Sequence, residues 1–545
     1  MAYRYIGILL FRCDLEVTSA SKRKSIKGNS MRRLLSASLA LFLTASAAFA
    51  QAVPGGKLNL IVQPEPPSIM IGITTNGPAL LVGGNIYESL LRYDENLKPE
   101  PSLAKSWTIS DDGLTYTFTL QDGVKWHDGQ PMTSADVLFS VNDFLVKMQP
   151  RHRNLMTHVE SVTAPDDKTV VFKLKEPFEA FIRGLSFYTM PIVPKHIYEG
   201  TDYATNPANE KPIGTGPFKF AEWKKGSYIH LVKNPDYYIK GKPYLDELYY
   251  QVIPDAASRS VAFENGNVDV LPGGSVENFD IPRLKDLPNT CTTEKGWEYF
   301  APLSWLWLNN RKPPMDNVKF RQAIMYALDR DFARDVLWNG YGKVATGPMS
   351  SKLPFYKNVE PTYAHDPAKA KALLKEIGYD GKPLKLLPLP YGETWQRWAE
   401  AVKQNLGDVG IPVEIESTDV AGWNQRTANW DYDIAFTYLY QNGDPAIGVD
   451  RNYKTSQIAK GNPFNNVEGY SNPELDKLFD QAAVAYPAAK RQELYDQAQK
   501  TLQQDVPVAW LLELGFPTIY NCKVQDIVTT ASGLPESMRD AWIKK

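Results

Sequence analysis

The sequence predicts an α/β protein with more than one domain. At 545 residues, the chain is longer than one hydrophobic core usually serves, so two or more domains are expected. In Thr115–Leu120, aromatic and aliphatic residues alternate with threonines, and this period of two indicates a half-buried strand. Thr133 stands three residues before Asp136, a spacing typical of a capped helix start.

Further strand and helix patterns continue along the chain. Strands are predicted at 58–62 and 434–438, and a helix is predicted at 318–329 from its apolar spacing. Asp366 before Pro367 predicts a helix start, because a cap residue followed by proline suits the first turn; Asn472 before Pro473 repeats this device. The chain therefore mixes both element types throughout.

Residues 1–50 are predicted to be a leader. Residues 31–50 have the parts of a secretory signal peptide: Arg32-Arg33, an apolar run, and a small-residue cleavage site ending at Ala50. The apolar run is short for a membrane span. Cleavage would leave Gln51 as the mature N-terminus, with no cysteine beside it for a lipid anchor. We expect a soluble periplasmic protein.

The 30 residues before Met31 allow two interpretations. Either Met31 is the true start of translation, or the chain has an unusually long charged leader. Both interpretations predict the same mature protein.

Charge and cysteine content limit the possible partners. The first 50 residues hold eight Lys or Arg and two Asp or Glu, so the net charge of −2 becomes −8 from Gln51 onward. Without a basic patch, nucleic acid and anionic membranes are not expected as partners. Cys291 and Cys522 remain, either as one disulfide or as two buried thiols, because sequence alone does not show their separation.

One long segment resembles a known family. Residues 103–140 read LAKSWTISDDGLTYTFTLQDGVKWHDGQPMTSADVLFS, which resembles the signature of family 5 extracellular solute-binding proteins. These are the peptide, nickel and opine receptors of bacterial ABC importers. Blocks around Gly214-Thr215-Gly216 and at 262–269, 318–329 and 472–478 resemble the family as well. The resemblance runs from about residue 57 to residue 511.

The resemblance implies a two-lobed α/β periplasmic-binding-protein fold with mixed sheets and a ligand cleft between the lobes. Lobe one is expected from residues 51–300 and 513–545, with 86–212 as an extra subdomain, and lobe two from residues 301–512. The chain is expected to cross between lobes near 301–306 and 508–514. Such receptors close by a hinge motion.

The ligand site is expected after the buried strand at 434–438, where loops of α/β sheets usually hold ligands. In peptide-binding relatives an acidic residue here pairs with the peptide ammonium group, and Gln441 takes that position. Asp444 either supplies the acid instead or serves as a turn and helix-start residue. Some relatives place an arginine for the ligand carboxylate where this chain has Leu389. Asn442, between Gln441 and Asp444, is a further candidate ligand-binding residue.

Aromatic residues add a second set of candidates. They either stack on a ligand or pack in a core, and both fates stay open for each. The candidates are Trp305, Trp307, Tyr391, Trp395, Tyr438 and Tyr440. Trp107 and Trp126 are assigned to the core.

No catalytic or metal-binding pattern is found in the sequence. Ser102 and Lys105 fit a serine-x-x-lysine spacing, but the companion motifs of that enzyme class are absent. Nucleophile-elbow, zinc-helix, phosphate-loop and dinucleotide motifs are missing too. His152 and His158 are expected to be a solvated surface pair beside arginines, so we expect neither a metal nor a cofactor.

The sequence thus favours a receptor over an enzyme. It predicts a monomeric periplasmic receptor that captures a peptide, peptide-like or opine-like solute and delivers it to an inner-membrane permease. Two alternatives remain, a secreted peptide-bond hydrolase and a ligand-sensing receptor on the same fold. The missing motifs disfavour the hydrolase.

Overall fold

The computed structural model describes residues 52–74, 76–461 and 464–545, and the residues from Ala52 onward form one compact unit. The predictions for residues 1–50, and for Gln51 as the mature start, lie outside the described residues. Two large hydrophobic clusters form separate cores, one on each of two large sheets. These sheets define lobe one and lobe two.

Lobe one is built on a mixed seven-stranded sheet. Its strands lie in the order Thr290–Thr293, Thr518–Asn521, Val270–Leu271, Lys57–Ile61, Glu247–Gln251, Tyr228–Lys233 and Phe218–Lys224. The strand Lys57–Ile61, predicted at 58–62, pairs in parallel with both of its neighbours, and the other pairs are antiparallel.

A four-stranded antiparallel sheet accompanies lobe one within the segment expected to form the extra subdomain. Its order is Ala104–Ile109, Thr115–Leu120, Thr169–Leu174 and Val159–Asp166. The strand Thr115–Leu120 buries every second residue, as its alternation predicts. Two small antiparallel pairs join Leu91–Tyr93 to Pro99–Pro101 and Val524–Gln525 to Trp542–Ile543.

Lobe two is built on a mixed six-stranded sheet. Its order is Lys343–Val344, Val508–Glu513, Leu303–Leu308, Ile434–Leu439, Leu384–Leu387 and Val413–Ile415. Every residue of Leu303–Leu308 and Val508–Glu513 is buried. Such fully buried, mainly apolar strands are typical of a sheet covered on both faces.

Sixteen α-helices are found in the described parts of the chain. In lobe one and its subdomain they are Gly77–Gly83, Ser134–Phe139, Leu145–Met148, Pro150–Met156, Lys195–Tyr198, Ala256–Glu264, Ile281–Lys285 and Leu534–Ser537. In lobe two they are Val318–Ala327, Arg330–Phe332, Pro367–Glu376, Glu393–Asp408, Val420–Ala428, Pro445–Gly448, Pro473–Val484 and Ala488–Asp505. The caps predicted at Thr133, Asp366 and Asn472 are confirmed, since each side chain accepts a hydrogen bond from its helix.

Two glycines of the Gly214-Thr215-Gly216 element allow two backbone segments to touch. A Cβ atom added at Gly214 would lie 1.9 Å from the carbonyl oxygen of Ile86, and one added at Gly216 would lie 2.6 Å from it. Because only glycine fits this approach, the element fixes the chain after Gly216 against lobe one.

Two short segments connect the large sheets. The chain leaves the lobe-one sheet after Thr293, enters the lobe-two sheet at Leu303, and returns between Glu513 and Thr518. Cys291 and Cys522 lie beside these segments and form a disulfide, with their Cα atoms 5.1 Å apart. The bond resolves the two alternatives left open by the sequence.

The environments of Trp107, His152 and His158 differ from those predicted from the sequence. Trp126 is buried as predicted, but Trp107 is only partly buried against the same core. The prediction of a solvated histidine pair is wrong: His152 is fully buried with Nε2 bonded to Val141, and His158 stacks on Phe178. Burial lowers the pKa of His152 to about 4, so the ring is neutral at pH 7.

Candidate ligand-binding cleft

The predicted ligand segment begins where a central strand of lobe two ends. Ile434–Leu439 pairs with Leu303–Leu308 on one side and Leu384–Leu387 on the other. The next residues reach the boundary between lobes, because the Gln441 backbone N–H donates to the Phe300 carbonyl in the first connecting segment, at 2.7 Å. Tyr440, Gln441, Asn442 and Asp444 therefore lie where the lobes meet.

Gln441 is committed to contacts within lobe two. Its side chain is fully buried, with Oε1 accepting from the Ser350 N–H at 2.8 Å and Nε2 donating to the Pro348 carbonyl at 3.1 Å. Both ends of the amide are thus occupied in this conformation. The Gln441 side chain thereby links the loop at 348–350 to the end of the strand through two hydrogen bonds.

Asp444 is neutralised by arginine. Its buried carboxylate accepts from the Ala446 N–H and so caps the helix Pro445–Gly448. Arg491 contacts both of its oxygens, at 2.9 and 3.4 Å, and Arg183 of lobe one lies 3.6 Å away. The helix-start role is confirmed, and the charge of Asp444 is already paired.

The side-chain amide of Asn442 has no hydrogen-bond partner in the described structure. The side chain is fully buried, and the backbone has a φ of 51°. Asparagine tolerates this left-handed backbone better than most residues. A buried amide without partners is costly, so both amide groups of Asn442 keep unused hydrogen-bonding capacity.

Trp305 and Trp307 lie in the core of lobe two. Both have 0% exposure, Trp307 stacks on Trp423 with ring centres 5.6 Å apart, and Trp305 packs on Tyr453. Both rings are therefore covered by other aromatic side chains of lobe two. In this conformation the structure places neither ring at the cleft.

The other aromatic candidates form one cluster at the lobe boundary. The Tyr438 ring stacks on Trp395 with a 5.7 Å separation and contacts both Tyr391 and Tyr440. Trp395 is buried, whereas Tyr391 is 49% exposed. Burial raises the pKa of Tyr438 and Tyr440, so both hydroxyls stay protonated and can donate hydrogen bonds.

Residues from the connecting segments and from lobe one complete the surroundings of this cluster. Phe300 packs on Tyr440 at 5.0 Å, and Phe516 packs on Tyr438 at 5.8 Å. The Tyr440 hydroxyl approaches Gly77, at the start of a lobe-one helix. Tyr440 therefore contacts both connecting-segment and lobe-one atoms.

A lobe-one carboxylate caps a lobe-two helix. Glu277 accepts from the Glu393 and Thr394 N–H groups at 3.1 and 3.2 Å and from the Thr394 hydroxyl at 3.0 Å. These groups begin the helix Glu393–Asp408, whose own preceding residue, Gly392, has no side chain to cap it. The contact joins the lobes at the rim of the cleft.

Across residues 52–74, 76–461 and 464–545, no three His, Cys, Asp or Glu side chains are grouped so that they could hold a metal ion. In the same ranges, no helix combines the length and apolar character needed to cross a membrane.

A family model described as bacterial extracellular solute-binding proteins, family 5 middle, matches residues 98–461. The chain belongs to this family. Its members are binding proteins, and the predicted two-lobed α/β fold is confirmed by the solved structures that this receptor resembles.

Three similar proteins illustrate the family. The oligopeptide-binding protein AppA of Bacillus subtilis is 30% identical over 84% of this chain and 86% of its own length. The ABC transporter substrate binding protein CtaP of Listeria monocytogenes is 28% identical, with a TM-score of 0.80 over 90% of this chain and 100% of that one. AgaA of A. tumefaciens, solved with agropinic acid, is 28% identical, with a TM-score of 0.77 over 90% of this chain and 99% of that one.

Sequence reasoning missed two charged residues at the lobe boundary. Glu277 and Arg491 contact cleft residues through hydrogen bonds between distant segments of the chain. Because these partners lie far apart in the chain, no local spacing predicts them.

Proposed function

We propose that this protein is the periplasmic receptor of an ABC importer, which captures a peptide or peptide-like solute and delivers it to an inner-membrane permease. Family membership over residues 98–461 carries the proposal. The relatives support the ligand class, since they include an oligopeptide-binding protein and a receptor solved with agropinic acid. The family offers no support for the hydrolase alternative.

Lobe closure is the proposed mechanism. Contacts such as Glu277 with Thr394 and Arg491 with Glu179 join atoms of different lobes, so opening the cleft would break them. A solute shifts the equilibrium only by its differential affinity for the closed state. Small-angle scattering should therefore give a smaller radius of gyration with solute, and the solute should be recovered chemically unchanged.

The ligand is proposed to be other than a plain dipeptide. Gln441 uses its amide within lobe two, and Asp444 is paired with Arg491, so neither offers a free acid for a peptide ammonium group. Burying an uncompensated ammonium would cost several kcal/mol. An opine-like or modified peptide, with its charge masked or moved, fits better.

Calorimetric titration with a panel of dipeptides and tripeptides tests this preference. We expect weak or undetectable binding of plain dipeptides. Submicromolar binding of several plain peptides would contradict it, above all if affinity were lost in Asp444→Asn and kept in Gln441→Ala. Thermal unfolding of both variants separates a lost anchor from a damaged fold, since Asp444→Asn leaves Arg491 without its buried partner.

The remaining proposals concern boundaries and location. We propose lobe one as residues 51–300 and 513–545, with 86–212 as its extra subdomain, and lobe two as residues 301–512. A monomer with its N-terminus at Gln51 is proposed for the periplasm. N-terminal sequencing of exported protein tests the cleavage site, and solute uptake in cells lacking the receptor separates transport from sensing.

A further inference from the structure

A turn of lobe one packs on two helices of lobe two. The turn Glu179–Gly184 lies in the segment proposed as the extra subdomain, and it contacts the helices Pro445–Gly448 and Pro473–Val484. Ile447 and Ala483 from these helices pack against the core of lobe one. In this conformation an apolar contact therefore joins the extra subdomain to lobe two, in addition to the two connecting segments.

Four charged side chains form a row of ion pairs across this contact. Arg491 Nη1 lies 3.3 Å from Glu179 Oε2, and Arg491 Nη2 lies 2.9 Å from Asp444 Oδ1. Arg183 Nε lies 3.6 Å from Asp444 Oδ2. Acid and arginine thus alternate along the row, and each lobe supplies one of each. We call these four residues the latch.

Each half of the latch is anchored in its own lobe. In lobe one, the Arg183 carbonyl accepts from the Tyr299 hydroxyl at 2.9 Å, and Arg183 Nη1 donates to the Leu97 carbonyl at 3.2 Å. In lobe two, Asp444 caps its helix and pairs with Arg491. The two ion pairs that join the lobes are thus the ones that opening of the cleft would break.

Opening would leave both halves of the latch electrically balanced. Asp444 and Arg491, whose side chains are 0% and 1% exposed, keep each other as partners inside lobe two. Glu179 and Arg183 are already 37% and 27% exposed and stand four residues apart on their turn, so they would return to water. Breaking an ion pair is costly when it leaves an unpaired charge buried. Because neither half of the latch is left with such a charge, it can open and close repeatedly.

Closing of the latch should be favourable on balance. Since Arg491 is buried, its attraction for Glu179 acts with little water between them, whereas ion pairs between fully exposed side chains contribute little. The apolar packing of Ile447 against lobe one adds to the stabilisation in the same place. Both contributions are present without a solute in the cleft.

We propose that the latch stabilises the closed conformation before a solute binds, so that the solute-free receptor is partly closed. The inference rests on the proposed lobe closure and deepens it, because it gives the extra subdomain a role in setting the closed fraction. When a solute binds only the closed state, its apparent Kd is the intrinsic Kd divided by that fraction. Weakening the latch should then lower the affinity for every solute by the same factor.

The test is small-angle scattering of receptor freed of bound solute, comparing the wild type with Glu179→Gln and Arg183→Gln. Each substitution removes one charge from the exposed half of the latch and leaves the buried half intact. Glu160→Gln is the matched control, because Glu160 pairs with Lys173 at 3.0 Å between two strands of the subdomain sheet. Thermal unfolding checks that each variant is folded.

Amide hydrogen exchange locates any change. The helices Pro445–Gly448 and Pro473–Val484 lose their cover when the turn moves away, so their amides should exchange faster in an open molecule. We expect Glu179→Gln and Arg183→Gln to have a larger solute-free radius of gyration than the wild type and faster exchange in these helices. Glu160→Gln should match the wild type in both measurements.

Equal solute-free radii in the wild type and both latch variants would overturn the latch, and so would an equal increase in Glu160→Gln. The receptor function can fail separately, because the latch is judged on protein without solute. If the radii differ as expected, but no solute is carried through purification and no peptide of the titration panel binds the wild type, the proposed receptor function is contradicted and the contact between the lobes stands.

Discussion

Removing the cap that lobe one provides for a lobe-two helix should weaken ligand binding without damaging either lobe. Glu277 accepts three hydrogen bonds from the first residues of Glu393–Asp408, and Gly392 offers that helix no cap of its own. The perturbation is Glu277→Ala, with Glu277→Gln as the variant that removes only the charge.

The magnitude follows from the contact itself. A side-chain cap contributes about 1 kcal/mol, and a negative charge at a helix N-terminus adds roughly 0.3–1 kcal/mol. Because Glu277 is half-buried, we take about 1–2 kcal/mol for the whole contact. The contact exists only when the lobes approach, so the loss falls on the closed state. Glu277→Ala should raise the Kd by about 5- to 30-fold, and Glu277→Gln by less.

The assay is calorimetric titration with the probe that the wild type binds most tightly, combined with small-angle scattering of the bound form. Asp419→Ala is the matched control, because Asp419 caps the helix Val420–Ala428 within lobe two, by accepting from the Gly422 N–H at 2.7 Å. It should lower the unfolding free energy by about 1 kcal/mol and leave the Kd unchanged. Equal effects of Glu277→Ala and Asp419→Ala on the Kd would refute the reasoning.

Three further predictions concern other parts of the chain. Trp307→Ala should lower the unfolding free energy by about 3–5 kcal/mol, while the folded protein keeps its Kd for the solute. Tyr391→Ala, at an exposed ring, should change the Kd more than the unfolding free energy. The opposite pattern would mean that Trp307 contacts the solute and Tyr391 stabilises the fold. Burial raises the pKa of Glu468 from 4.5 to about 8, so the unfolding free energy of the wild type falls as pH rises through this range. Compared with the wild type, Glu468→Gln should have an unfolding free energy about 3 kcal/mol higher at pH 7 and equal at pH 4. Urea unfolding at both pH values measures the difference. Replacing Cys291 and Cys522 by serine should lower the unfolding free energy by about 2–5 kcal/mol, and no change on such replacement would contradict a formed bond.

Features set by neighbouring residues were predictable from the sequence. The caps at Thr133, Asp366 and Asn472 depend on atoms within three residues, so the local pattern sufficed. The alternation in Thr115–Leu120 likewise determined which of its residues face inward. The family resemblance then supplied the arrangement of lobes that local patterns do not encode.

The candidate site was less accessible to sequence reasoning, because side-chain roles there depend on distant partners. Gln441 was placed correctly at the end of its strand, but its commitment to Ser350 and Pro348 involves residues more than 90 positions away. Trp307 and Tyr391 are both aromatic residues in lobe two, yet only the covering helices decide that one is buried and the other half exposed. Residue type alone does not contain that information.

The disulfide gives the receptor an unusual covalent topology. Cys291 and Cys522 are 231 positions apart, and all six strands of the lobe-two sheet lie between them. The whole of that sheet therefore belongs to a closed ring of chain. A protease that cuts one of the exposed loops of this ring leaves both fragments tied together, so the nicked molecule keeps its full mass until the bond is reduced. In a compartment that lacks reducing thiols, a single cut would not release lobe two from lobe one.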